Sequence, residues 1–197
     1  TRDDNWFRNT QWNGEIAAKF EARLRRARRK GQYLRIQACT LAESEPAVAL
    51  QLLDRYFQGD DQFDAAQAHV DRATALLALD RRDEALLAYE AALAHEAGFP
   101  GVLTTASVEF PYIIATHKMS AHYERALGVL HTHRERLTFP LEHFKWHTAQ
   151  ALIAGASGDR TQAREHARQA LEFAAKDHSG FSRHAKLGLV SRQYDKA

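Results

Sequence analysis

The chain has 197 residues, of which 45% are hydrophobic and 26% are charged, a composition typical of a soluble globular protein. Its length suits one domain that buries roughly 70% of the surface exposed on unfolding. No apolar run approaches the roughly 20 residues of a membrane span. The single cysteine, Cys39, excludes an internal disulfide framework, so we expect a reducing, cytoplasmic compartment.

The formal net charge is +2, but its distribution along the chain is uneven. From Lys19 to Lys30 there are seven basic residues and one acidic residue, a local charge of +6 that leaves −4 for the remainder. Two interpretations stay open. The segment is either a solvated face whose arginine stems cover apolar surface, or a site for nucleic acid or an acidic partner.

The first residues, Thr-Arg-Asp-Asp-Asn-Trp, do not form a signal peptide, and since Met is missing we expect a processed or trimmed N-terminus. Trp6, Phe7 and Trp12 lack helical spacing, so we expect them to anchor an N-terminal arm against the body. Asn13 is a suitable N-cap for a helix over residues 14–30. The basic face of that helix consists of Lys19, Arg23, Arg26 and Lys30.

Apolar residues three or four positions apart predict helices along most of the chain. Pro46 suits the first turn of one helix, with Ser44 as its cap, and Pro111 is expected to kink another. Turns are predicted at 58–61 and 98–101. The predicted helices cover residues 33–42, 47–57, 102–118, 120–137, 141–156 and 160–176, and a short cap covers 185–194.

Residues 63–96 predict two helices that pack together, joined by a short polar connection in which Asp80 caps the second helix. Small residues on both faces allow the backbones to approach closely. The facing stripes consist of Phe63, Ala66, Val70, Ala73 and Leu77, and of Ala85, Tyr89, Ala92 and Leu93. A pair this short cannot bury its apolar stripes alone, so it needs neighbours of the same kind.

Alanines with a common pattern recur in four predicted second helices. These anchors, Ala49, Ala85, Ala126 and Ala163, are 36, 41 and 37 residues apart. Ala73 and Ala151 lie twelve residues before two of them, and the aromatic residues Tyr33 and Phe110 lie sixteen before the other two. With this pattern, and with D-R-R-D-E-A-L-L-A-Y-E-A-A-L and G-D-R-T-Q-A-R-E-H-A-R-Q-A-L, residues 32–176 resemble the tetratricopeptide-repeat family. The alternative is an ordinary Ala-rich helical bundle.

The resemblance implies an all-α fold, a right-handed α-solenoid of about four helix pairs with an extra N-terminal helix and a short C-terminal cap. One domain, 1–197, would then comprise an arm and basic helix at 1–31, repeats at 32–176 and a tail at 177–197. Such solenoids bind a protein segment on their concave surface. By resemblance, the groove-facing residues are Gln67, Val70, Thr74, Ala115, Lys118, Lys145, Thr148 and Leu152. Val70, Thr74, Thr148 and Leu152 do not match the carboxylate clamp of family members that bind chaperone C-termini.

No phosphate-binding Gly-rich loop, dinucleotide fingerprint or nucleophile elbow is present. Cys39, on a predicted helix, suits a buried inert thiol better than a nucleophile. His143 and His147 are one helical turn apart and raise the alternative of a metal-dependent enzyme, although Phe144 stands where a zinc hydrolase would need Glu. We therefore expect no enzyme activity and no cofactor.

The first hypothesis is a non-enzymatic protein-binding module of bacterial style, acting as an adaptor, a regulator or an immunity protein. The second hypothesis is binding of nucleic acid or an acidic partner through residues 19–30. The third, a metal-dependent enzyme that uses His143 and His147, is the least supported by the residues. The sequence does not identify the partner.

Overall fold

The computed structural model describes residues 5–59, 63–99 and 101–194. In these ranges the chain forms α-helices, short 3-10 turns and no strand, which confirms the predicted all-α class. Predictions that concern residues 1–4, Asp60, Asp61 and Pro100 lie outside the described residues. The helices are α1 (Gly14–Leu24), α2 (Lys30–Leu41), α3 (Pro46–Phe57), α4 (Ala65–Ala78), α5 (Arg82–Gly98), α6 (Ala106–Thr116), α7 (Tyr123–His133), α8 (Pro140–Ala156) and α9 (Arg160–Ala174).

Contacts divide the chain into two compact units, Thr1–Ala106 and Ser107–Ala197. In the first unit α2 packs against α3, α3 against α4 and α4 against α5, and α2 also contacts α4. In the second unit α8 packs along α9, and α7 contacts α8. None of the helices in the described ranges combines the length and the apolarity that crossing a membrane requires.

The start of the first unit follows the prediction closely. Trp6, Phe7 and Trp12 pack against the buried core that includes Phe20, which confirms the anchored N-terminal arm. Asn13 accepts a hydrogen bond from the backbone N–H of Ile16 at 3.0 Å, so it caps α1 as predicted. The arm therefore belongs to the core of this unit.

The predicted helix over residues 14–30 is wrong at its C-terminal end, because α1 stops at Leu24. The next residues form a tighter turn with hydrogen bonds between residues three positions apart. The Arg26 N–H donates to the Arg23 carbonyl and the Ala27 N–H to the Leu24 carbonyl, both at 3.1 Å. If the helix continued, cations four positions apart, such as Arg26 and Lys30, would lie side by side on one face and repel each other. The turn after Leu24 avoids this arrangement. The helix predicted at 33–42 begins earlier, at Lys30.

The pair predicted at 63–96 is present as α4 and α5, but its first residue and its connection differ. Phe63 is 86% exposed and precedes the helix, so its assignment to the buried stripe is wrong. Asp80 does not cap α5. It has a φ of +57° and forms the turn that ends α4. The buried members of the two stripes are Ala66, Val70, Ala73, Ala85, Tyr89, Ala92 and Leu93.

Three helices end with the same turn. After α4 the Arg81 N–H bonds to the Leu76 carbonyl at 2.9 Å while Asp80 takes the left-handed conformation, which is a Schellman motif. Lys118 follows α6 with a φ of +54°, and Gly158 follows α8 with a φ of +84°. A shared turn at the end of α4, α6 and α8 is a local regularity that the sequence does not reveal, because only one of the three positions is glycine.

Other predicted boundaries hold or shift by a few residues. Pro46 is the first residue of α3 as predicted, but the N-cap position is Glu45 and no side chain bonds there, so the cap assigned to Ser44 is wrong. Pro111 lies inside α6, which begins at Ala106 instead of residue 102. The helix predicted at 120–137 is divided into α7 and two flanking 3-10 turns.

The second unit has a core cluster against which the C-terminal segment packs. Tyr112, Phe144 and Ala170 are its buried members, and Val190 and Tyr194 lie against them. Residues 185–194, predicted as a short cap over the final helix pair, lie against α8 and α9 through Val190 and Tyr194 and contain a single 3-10 turn, Arg192–Tyr194. The Leu141 N–H donates to the Gly188 carbonyl at 2.8 Å, which ties the segment to the start of α8.

Candidate functional site

The predicted groove residues differ widely in their surroundings. Val70, Ala115 and Lys145 are buried, with 6%, 1% and 6% of their surface exposed. Lys118 is exposed in the turn after α6 and is not on a helix face. Gln67, Thr74 and Thr148 are half-buried, and Leu152 is 39% exposed. As placed, Thr148 and Leu152 have the accessibility that a binding surface needs and share one cavity.

Gln67 belongs to a polar cluster between α2 and α4 of the first unit. Its amide donates to the carboxylate of Asp71 at 3.0 Å, and Arg35 donates to the same carboxylate at 3.1 Å. The Arg35 Nε also lies 3.4 Å from Asp64. Burial raises the pKa of Asp71, although Gln67 and Arg35 act in the opposite direction. Gln67 thus satisfies an internal carboxylate in this structure.

Lys145 of the second unit is likewise held by its neighbours. Its ammonium lies 2.6 Å from the carboxylate of Glu109, and it faces the rings of Tyr112 and Tyr194 at 5.3 and 5.1 Å. Burial alone would lower the pKa of Lys145, but Glu109 and the Tyr194 hydroxyl together raise it. Lys145 therefore stays charged and is enclosed by internal partners.

A cavity of about 480 Å³ lies beside these groups, between α8, α9 and the C-terminal segment. Eight of its ten lining residues are apolar, and two leucines at its edge face solvent: Leu152 is 39% exposed and Leu171 is 70% exposed. We call this cavity the α8–α9 groove. The side chains that define it are Phe144, Thr148, Leu152, Leu171, Val190 and Tyr194.

Two residues that line the α8–α9 groove, Thr148 and Leu152, are among the groove-facing residues that the resemblance implies, and the other lining residues are not. Leu171 offered a weak signal, because it is the one leucine of α9, whose other residues are mostly polar or alanine. Val190 and Tyr194 offered none. Their positions depend on the return of the C-terminal segment across α8, and the sequence does not specify that path.

The four residues assigned to a basic helical face lie on three different elements. Lys19 and Arg23 are on α1, Arg26 is in the connection and Lys30 begins α2. Lys19 is paired with Glu15 at 2.6 Å, which lowers the pKa of Glu15. The residues do not form the continuous face that the sequence predicted.

The turn after α1 instead gathers other cations around a second cavity. Arg28, Arg29, Lys30 and Arg55 line a depression of about 530 Å³ whose apolar wall includes Leu24 and Leu34. We call it the α1–α2 cavity. Arg28 and Arg29 contribute to the local charge of +6 between Lys19 and Lys30, but they do not belong to the predicted basic face, because a continuous helix would place them on other faces.

The histidines on α8 do not face one another across a metal site. His143 stacks on Phe173 at 4.3 Å. The Nδ1 atom of His147 lies 3.0 Å from the Nδ1 atom of His166, so one ring donates its N–H to the other. Burial, together with His166, lowers the pKa of His147 to about 4. Within the described ranges, no three His, Cys, Asp or Glu side chains are placed to hold a metal ion.

Cys39 is exposed at the surface of α2, so its predicted burial is wrong. Partial burial of the sulfur and the nearby Asp71 raise the pKa of the thiol to about 11. Such a thiol stays protonated near neutral pH and is a poor nucleophile. Its predicted inertness is thus supported by the partial burial of the sulfur and by the neighbouring Asp71 carboxylate.

No protein-family model matches the chain, and neither a curated protein nor a solved structure matches it. The resemblance to tetratricopeptide repeats stays a prediction, carried mainly by residues 80–93 and 158–171. Any function has to be derived from the geometry of the two units.

Proposed function

We propose that this chain is a non-enzymatic protein-binding module whose α8–α9 groove holds an apolar, acidic segment of a partner protein. The observation that carries the proposal is the groove itself, an apolar cavity with Leu152 and Leu171 exposed at its edge. Its volume of about 480 Å³ falls in the range of roughly 300–1,000 Å³ that is usual for ligand sites.

Burial of the exposed leucines provides the driving force. Each square ångström of apolar surface removed from water contributes about 25 cal/mol, and exposed apolar surface next to a cavity is typical of interaction sites. The first residue of the partner segment to be buried would be a large aliphatic or aromatic side chain, since Phe144 and Val190 offer it apolar surface and Tyr194 offers an aromatic ring.

Charge defines the second property of the partner segment. Arg164 precedes Ala167 by one helical turn and Leu171 by two, so it extends the same face of α9. It is exposed and has no ion-pair partner among the described residues. The neighbouring Arg168, by contrast, is occupied by Glu165 and Glu172. A carboxylate on the partner would therefore pair with Arg164.

Selection of 12-residue peptides by display on the full chain tests this proposal. We expect selected peptides to carry two large apolar residues and at least one Asp or Glu. Leu171→Asp should weaken their binding at least tenfold, because a charge would enter the groove. Arg164→Glu should shift the selected charge from acidic to basic.

Leu127→Asp is the matched control, because Leu127 is 38% exposed in the same unit and does not line the groove. Its binding should stay within about twofold of the unchanged chain. Peptides that bind Leu171→Asp and the unchanged chain equally, or that show no acidic preference, would overturn the proposal.

The wider arrangement belongs to the same proposal. A right-handed solenoid of about four helix pairs is supported by the recurring alanine pattern and by the shared turns after α4, α6 and α8. A cytoplasmic location is supported by the single cysteine. The bacterial adaptor, regulator or immunity role is a hypothesis that rests on the resemblance alone.

A further inference from the structure

We propose that the α1–α2 cavity binds the phosphate groups of a small ligand, most simply a diphosphate. The site lies in the first unit and involves no residue of the α8–α9 groove. It is therefore a second binding site, and it can be present or absent independently of the protein-binding function proposed above.

The cations of this cavity differ in how they are neutralised. Arg55 is paired in a bidentate manner with Glu21, at 2.6 and 3.1 Å. Arg28, Arg29 and Lys30 are exposed, and no carboxylate in the described ranges pairs with them. Three adjacent cations without counter-charges repel one another, and an anion bound between them would relieve that repulsion.

The fold brings these cations to one concave place. Because α1 ends at Leu24 and α2 begins at Lys30, five residues connect the two helices. Arg28 and Arg29 of this connection line the cavity together with Arg55 and Gly59 at the C-terminal end of α3. The buried side chains of Leu24 and Leu34 close the apolar side of the cavity. Weak hydration on that side strengthens the attraction between cations and a bound anion.

The chemistry of the lining favours phosphate over other anions. A guanidinium presents parallel N–H donors that match two phosphate oxygens, and two adjacent guanidinium groups suit a compact group with several negative charges. A peptide carboxylate carries a single charge and would satisfy only one of them. Arg28 and Arg29 therefore select for charge density.

A nucleic-acid strand fits the site less well than a small ligand does. A strand needs cations in a line, and the end of α1 at Leu24 interrupts the line from Lys19 onward. Lys19 is also occupied by Glu15. The aromatic residue of the cavity, Tyr56, is 2% exposed and offers no face on which a base could stack.

Calorimetric titration of the full chain with inorganic pyrophosphate at low ionic strength tests the proposal. We expect one saturable site per chain, with affinity that falls as salt is added. Arg28→Gln with Arg29→Gln should weaken binding at least tenfold. Arg25→Gln with Arg26→Gln removes the same charge from exposed neighbours outside the cavity, and it should weaken binding by less than about threefold.

Lys30→Gln provides a second, single variant whose helical circular dichroism should match that of the unchanged chain. ADP in place of pyrophosphate distinguishes a free diphosphate from a nucleotide, because a tighter fit of ADP would indicate contacts beyond the phosphates. Equal losses in the two double variants, absence of saturable binding, or preference for a poly-Glu peptide or an RNA 20-mer over pyrophosphate would each overturn the proposal. Peptide binding to the α8–α9 groove should be unchanged in all these variants.

Discussion

Each of the two units contains a partly or fully buried ion pair between two of its helices, and the order of the two charges along the chain is reversed between the units. In the first unit Arg35 on α2 pairs with Asp71 on α4, and in the second unit Glu109 on α6 pairs with Lys145 on α8. Both pairs join residues 36 positions apart. In the first unit the cation comes first along the chain, and in the second unit the acid comes first. The spacing is shared while the direction of the charge pair is reversed.

The difference reflects what surrounds each cation. Arg35 reaches two carboxylates, those of Asp64 and Asp71, as a forked guanidinium can. Lys145 reaches one carboxylate and is otherwise enclosed by the rings of Tyr112 and Tyr194, which suits a compact ammonium. A position that recurs in both units can thus keep its role of joining two helices, while the type of side chain there depends on the residues that surround it.

The largest effect is expected for Arg35→Met in the first unit. The change leaves the side chain of Asp71, which is 4% exposed, as a buried charge without its cation, and such a loss costs about 3–5 kcal/mol of unfolding free energy. Urea unfolding followed by circular dichroism measures it. Arg72→Met is the control, since it breaks the more exposed pair between α4 and α3 and should cost at most about 1 kcal/mol. Equal costs would mean that the Asp71 pair is not a buried structural contact.

Acid should act on the second unit through its histidine pair. The pKa of His147 in the folded chain is about 4, below its ordinary value of 6.5, so the unfolded chain takes up the proton first. Stability is therefore fully present above pH 6.5 and is lost as the pH falls toward 4, by at most about 3 kcal/mol, because solvent screens a half-buried ring. Trp146 fluorescence, in a chain with Trp6 and Trp12 changed to Phe, reports on this unit alone.

His147→Gln should flatten that pH dependence, whereas His131→Gln should retain it, because His131 is exposed on α7. Hydrogen exchange of the α8–α9 amides measures the same response within the second unit. If their loss of protection on acidification is unchanged in His147→Gln, the acid response does not originate in the histidine pair.

Lys145→Met should be less costly than Arg35→Met. The carboxylate left behind belongs to Glu109, whose side chain is 24% exposed, compared with 4% for Asp71. Water can therefore reach it, and we expect a loss of about 2 kcal/mol. Urea unfolding with Trp146 as the probe measures the loss. A cost equal to or above that of Arg35→Met would contradict the ranking by burial.

Gly188→Ala tests the segment that crosses the start of α8. Gly188 has a φ of +67°, and an added Cβ would meet the Cβ of Phe139 at 2.5 Å. The strained backbone and the displaced aromatic side chain both cost stability, so we expect a loss of about 1–3 kcal/mol, a range that includes the loss expected for Lys145→Met. Peptide binding to the α8–α9 groove should weaken with it, because Val190 and Tyr194 follow two and six residues later. Gly128→Ala, with open space around it, is the control.

The sequence predicted the helices well where periodicity was long, as at α5, α8 and α9, and it predicted the anchored aromatic arm. It failed where one residue decides the outcome. Asp80 looked like an N-cap but ends the preceding helix, because a left-handed turn depends on tertiary position and not on residue type alone. The predicted groove residues show a similar limit of residue spacing: helical spacing places Lys145 on a face, but only packing shows that Glu109 pairs with it.

Tyr194 belongs to two structures at once, since its ring covers the Lys145 ammonium and also forms a wall of the α8–α9 groove. A partner segment that contacts this ring would hold it over the ammonium. The melting temperature of the second unit should therefore rise as the groove becomes occupied. Thermodynamic reciprocity then requires the converse: a change that weakens the contact between Lys145 and Tyr194 should lower the affinity of the groove for the partner segment.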